Sequence, residues 1–146
     1  MAFDAHVPEI AGVIQLAVAP VFLLTAVGTV IAALNIRLGR AVDRRRVLEQ
    51  KLPSMPAQEV QSARDELQTI ARRIRYVYLA ILSAVISALF VCMLIAGAFL
   101  GAFVRSDLSY TIGAMFVFAM LALTACLLLF VREIFLAVST PRHVPR

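Results

Sequence analysis

N-I-R-L-G-R-A-V-D-R-R-R-V-L-E-Q-K-L-P-S-M-P, residues 35–56, is the stretch whose reading decides the fold. Around and within it the positions Leu34, Leu38, Ala41, Arg45, Leu48 and Leu52 recur by fours and threes, apolar except for the basic Arg45. That spacing puts them on one face of a helix. Pro53 and Pro56 then break the helix, because two prolines three apart cannot share a helical interior. A second stripe follows at Val60, Ala63, Leu67, Ile70, Ile74, Val77 and Ile81, spaced by threes and fours. Two matched stripes joined by a short turn predict an antiparallel helical hairpin with a coiled-coil-like seam, over about residues 37–75.

On either side of this polar middle the chain is apolar. It has 146 residues, of which 62% are hydrophobic and 16% charged. The mean hydropathy of +0.90 is too high for an ordinary soluble domain. The expected class is an all-α integral membrane protein with three transmembrane helices, forming a single membrane domain over residues 1–146. The first span covers about residues 10–36, roughly 40 Å of helix, which is enough to cross a hydrocarbon core of about 30 Å. Pro20 lies within it and is expected to kink it. The second span covers about residues 76–104 and the third about 108–131, with the tail from about residue 140 to 146 expected to be disordered. The first residues, Met1 to Glu9, lack the basic start of a secretory signal.

Charge sets the orientation. Of fourteen Lys and Arg, ten lie between Asn35 and Arg75, with five of the nine acids, so this segment is net +5 and the remainder is neutral. The loop between the second and third spans has only Arg105. The positive-inside rule puts the basic hairpin and the C-terminus in the cytoplasm and the N-terminus outside. A basic excess beside apolar spans is explained by a membrane surface, without nucleic acid as a partner.

Several residues carry a functional reading beside a plainer one. Gln15, Phe22, Thr25, Thr29, Ala33, Arg37, Arg40 and Arg44 fall within half a turn of one another on the first helix. Copies packed around an axis through this face would line a narrow pore, with Phe22 as a hydrophobic constriction and arginine rings at the mouth. In the plainer reading, Thr25 and Thr29 bond their own backbone and Gln15 touches a neighbouring helix. The clusters Arg44-Arg45-Arg46 and Arg72-Arg73 could bind acidic lipid or a cytoplasmic protein, or serve only to set topology. Gly97 and Gly101, and Ser83 and Ser87, are small-residue pairs that favour helix packing. Glu133 ends the third span, and an interfacial ion pair with Arg37, Arg40 or Arg75 is expected.

No enzyme is expected, since the chain has no phosphate loop, no nucleophile elbow and no convergent carboxylates within the spans. His6, His143, Cys92 and Cys126 have no metal-ligand spacing, so no metal or cofactor is expected.

The strings Pro20 to Thr25, Asn35 to Arg44, Arg72 to Arg75 and Phe130 to Glu133 resemble a bacterial membrane family, the domain of unknown function two-seven-two-one. The Arg-Leu-x-Arg-x-x-Asp-Arg string at Arg37 to Arg44 is its most specific part. The resemblance covers nearly the whole chain and implies a small bacterial inner-membrane protein of three spans, with no activity attached. Three helices leave small and polar faces uncovered, so a homo-oligomer within the lipid bilayer is expected. Its leading function is an ion channel or pore with the first span at the axis. The alternative is a non-conducting scaffold or regulatory protein whose basic hairpin binds acidic lipid or a protein partner.

Overall fold

A computed structural model describes residues 7–104 and 109–138. Among them the chain forms three α-helices and one short 3-10 turn: α1 (Val7–Lys51), the turn Leu52–Ser54, α2 (Ala57–Val104) and α3 (Ser109–Val138). The Arg105 to Asp107 turn and the tail beyond residue 140 lie outside the described residues. Forty-five residues make α1 about 68 Å long, and forty-eight make α2 about 72 Å. All three helices are long and apolar enough to cross a membrane. α1 and α2 each exceed a hydrocarbon core by more than half their length, so each has an apolar part and a polar extension. α1 continues through Pro20 without interruption. In a span, neighbouring turns absorb the one hydrogen bond that a proline removes.

The two prolines end α1 as their chemistry requires. Pro53 sits in the 3-10 turn, Met55 is extended at φ −80° and ψ 145°, and α2 begins after Pro56. Helix ends leave carbonyls without partners. Here Ser54 Oγ donates to the Lys51 carbonyl at 2.9 Å, and the Glu59 N–H donates to the Pro56 carbonyl at 2.9 Å.

The fold divides into two compact units, each containing parts of the three helices. One comprises Ala32–Leu82 and Ala125–Arg146. Its interior is the pair of stripes read above. Leu48, Ala63 and Ile70 are buried together, with Leu52, Met55, Leu67 and Ile74 packed against them. Arg45, the basic interruption, points outward and pairs with Glu49 four residues on. Arg44 binds Glu66, which ties the end of α1 to the start of α2.

The other unit comprises Met1–Ile31 and Ser83–Thr124. Its buried residues are Val27, Ala84, Ser87, Val91, Leu94 and Ala119. Ser87 Oγ donates to the Ala119 carbonyl at 2.8 Å, and Phe90 stacks on Phe118 at 5.8 Å between centroids. Small side chains let α2 and α3 approach closely enough for that bond.

A seven-residue period runs along each helix. α1 buries Val27, Leu34 and Leu48, α2 buries Ala63, Ile70, Val77, Ala84 and Val91, and α3 buries Ala119, Cys126 and Glu133. Ala80, Ser87 and Leu94 form a second buried row on α2. Residues seven apart lie within about 20° of one another around a helix, so each row marks one face.

A buried glutamate between two arginines as the candidate functional site

Glu133 continues the α3 row of Ala119 and Cys126, and at that third position the buried side chain is a carboxyl rather than a small residue. It is only 1% exposed. An isolated carboxylate at such burial costs several kcal/mol, so it needs charged partners. It has two. Arg37 Nη1 of α1 donates to Oε2 at 3.0 Å. Arg73 of α2 donates to Oε1 twice, from Nη2 at 2.9 Å and Nε at 3.3 Å. Each helix thus supplies one member, and one carboxylate joins all three. The Arg37 guanidinium also lies 5.0 Å from the centroid of the Phe130 ring, one turn before Glu133, in a cation–π contact.

Of the three partners expected for Glu133, Arg37 is the one that reaches it. Arg40 and Arg75 do not pair with it, and the second partner is Arg73. The reason is angular. Arg73 lies seven residues before Ala80 and fourteen before Ser87, so it extends the α2 row that packs inward. Arg75 is two residues, some 200° of helix, further around and is exposed. Continuing the Ala80 and Ser87 row backwards was the signal that would have selected Arg73 from the sequence.

Beside this cluster lies an open groove of about 520 Å³, lined by Ala33, Ile36, Arg37, Arg40, Ala41, Arg44, Ile70 and Arg73. Arg44 is held by Glu66, with Nε and Nη2 both on Oε1 at 3.0 and 2.8 Å. Arg40 is exposed and makes no ion pair among the described residues. The same holds for Arg46, Arg72 and Arg75. Of the two arginine clusters, then, Arg44, Arg45 and Arg73 are committed to glutamates and Arg46 and Arg72 are free.

On the polar face of α1, Gln15, Phe22, Thr25, Thr29 and Ala33 are all exposed, Phe22 at 71%. Thr25 Oγ1 donates to the Val21 carbonyl at 3.3 Å and Thr29 Oγ1 to the Thr25 carbonyl at 3.0 Å. Both hydroxyls are therefore satisfied by their own helix four residues back.

Of the small residues on α2, Ser87 is buried and bonded, while Ser83 is half-buried. A Cβ at Gly97 would lie 3.9 Å from Ile112 Cγ1, an ordinary contact, so the backbone there does not require glycine. Gly101 is half-buried. Of the four small residues expected to favour packing, Ser87 is the one that bonds to a neighbouring helix. Among the described residues no group of three or more His, Cys, Asp or Glu could hold a metal ion. Nor does any buried side-chain polar atom there lack a partner.

Residues 17–143 match a family described as Protein of unknown function (DUF2721). The match includes Arg37, Arg73 and Glu133 together with the whole of α2. Neither the curated proteins nor the solved structures contain a match to the chain.

Proposed function

The chain belongs to the DUF2721 family, and from that premise we propose that it is a non-conducting scaffold or regulatory protein of the bacterial inner membrane. Its three spans carry a cytoplasmic antiparallel hairpin over about residues 37–75, with the N-terminus outside and the C-terminus inside. The hairpin is the working part and docks an acidic lipid or an acidic surface of a cytoplasmic protein.

One observation carries this reading: the arginines divide into two sets. Arg37, Arg44, Arg45 and Arg73 bind glutamates of the same chain. Arg40, Arg46, Arg64, Arg72, Arg75 and Arg132 remain exposed without an ion pair among the described residues. Topology needs only positive charge near the spans, and Arg37, Arg44 and Arg73 of the paired set already tie helices to one another. The free set is available for an external anion.

A second reading, a homo-oligomeric channel, is favoured by the uncovered face of Gln15, Phe22, Thr25, Thr29 and Ala33 on α1. That face suits contact between copies in either case. Dye or ion release from liposomes separates the two. In the scaffold reading, vesicles holding the protein leak no faster than empty ones, and Phe22→Ala changes nothing. In the channel reading, they leak, Phe22→Ala leaks more, and Thr25→Leu leaks less. The subunit count by native mass spectrometry accompanies this test, since a monomer or dimer has no axial pore.

A further inference from the structure

We propose that the groove beside Glu133 is a headgroup site for an anionic phospholipid carrying close to two negative charges. This rests on the scaffold reading above and assigns it a ligand and a place.

The charge of the groove points to an anion. Four of its lining residues are arginines, Arg37, Arg40, Arg44 and Arg73. Two glutamates, Glu66 and Glu133, are bonded to three of them. Four positive charges against two negative ones leave a local excess of two. Hydrogen-bonding capacity agrees. An arginine has five N–H donors in a planar fork. Arg73 and Arg44 each use Nε and Nη2 on a glutamate, and Arg37 uses Nη1. Each retains an unused edge, and all of the Arg40 fork is uncommitted. Phosphate oxygens, like carboxylates, match such forks in geometry and charge.

The shape of the groove points to a lipid rather than a soluble anion. Along α1 its lining begins on the span side with Ala33 and Ile36 and continues with Arg37, Arg40 and Arg44, with the small Ala41 among the arginines. Ile36 is 58% exposed and gives the groove an apolar wall on that side. From α2 the lining is Arg73 and the edge of the buried Ile70. A glycerophospholipid has the same order, with hydrocarbon, then glycerol, then phosphate. Basic pockets between membrane helices at the cytoplasmic level are suited to such headgroups.

Arg37 and Arg73 serve both the groove and Glu133, so they hold the site open. Arg40 is the only arginine of the groove that no carboxylate in the described residues holds, and it is the residue to test.

The test is native mass spectrometry of the full-length protein in mild detergent, titrated with cardiolipin, phosphatidylglycerol, phosphatidylcholine or inorganic phosphate. The expected order of occupancy follows headgroup charge, with cardiolipin first and phosphatidylcholine last. Arg40→Gln lowers cardiolipin affinity about fivefold, from the usual contribution of one arginine near a lipid surface. Its helical content by circular dichroism should equal that of the parent, since Arg40 is exposed and makes no ion pair among the described residues. Lys51→Gln and Arg64→Gln, exposed cations outside the groove, leave the affinity unchanged. If all three variants weaken binding equally, the groove is refuted and a diffuse basic surface remains, with the scaffold reading intact. If the parent prefers no anionic lipid over phosphatidylcholine, the lipid arm of the scaffold reading falls as well. If millimolar inorganic phosphate displaces cardiolipin, the site belongs to a soluble anion and the lipid assignment is overturned.

Discussion

Replacing Glu133 by Gln tests the central packing argument with the smallest change of shape. The carboxylate receives three hydrogen bonds from two guanidinium groups, at 2.9, 3.0 and 3.3 Å. Removing one partner of a buried ion pair costs about 3–5 kcal/mol when the remaining charge is itself buried. Here the remaining charges have partial access to solvent, with side chains 41% exposed for Arg37 and 29% for Arg73. Water can therefore take over part of their solvation. Glutamine can still accept from one arginine, while its NH2 group faces the other and offers it a donor instead of an acceptor. The expected loss is thus below the full range, about 2–3 kcal/mol. Denaturation in mixed micelles, followed by circular dichroism, reads this directly. A double-mutant cycle with Arg73→Gln should give a coupling of about 1–2 kcal/mol, because the two share the bonds at Oε1. Replacing Glu133, Arg37 and Arg73 together by Met should recover most of the stability, since buried ion clusters often exchange for apolar packing at little cost. An unchanged Glu133→Gln variant, or a coupling of zero, would refute the view that this carboxylate joins the three helices.

Three other outcomes follow from the packing. Ser87→Ala loses the bond to the Ala119 carbonyl and should cost about 0.6–1.5 kcal/mol in the same denaturation assay, the usual range for a bond between membrane helices. Gly97→Ala should be neutral or stabilising by up to about 1 kcal/mol, because the new methyl meets Ile112 at ordinary contact distance and glycine weakens a helix. A loss of stability there would restore the glycine pair as the packing motif. Leu48→Ala empties the centre of the cluster with Ala63 and Ile70 and should cost about 2 kcal/mol or more. Hydrogen exchange should then rise over residues 45–70 and stay unchanged in the Ser87 region.

The sequence by itself determined the class and the local elements. Long apolar runs need all their backbone bonds made internally, which in lipid leaves helices, and three such helices are present. The stripes through Leu48, Ala63 and Ile70 were legible because a helical period maps directly onto burial. The Glu133 carboxyl at the end of the third apolar span, with arginines at the ends of the other two, announced an ion pair by cost alone. Tertiary structure decided which arginines answer it. Arg37 and Arg73 reach Glu133 while Arg40 and Arg75 do not pair with it, and offsets of three residues on α1 and two on α2 separate those outcomes. It also decided that the Ser87 hydroxyl bonds across to the Ala119 carbonyl, while a Cβ at Gly97 would make only an ordinary contact. These choices depend on where neighbouring helices lie to within about an ångström, and a periodicity along one chain specifies faces but not the partner that meets them.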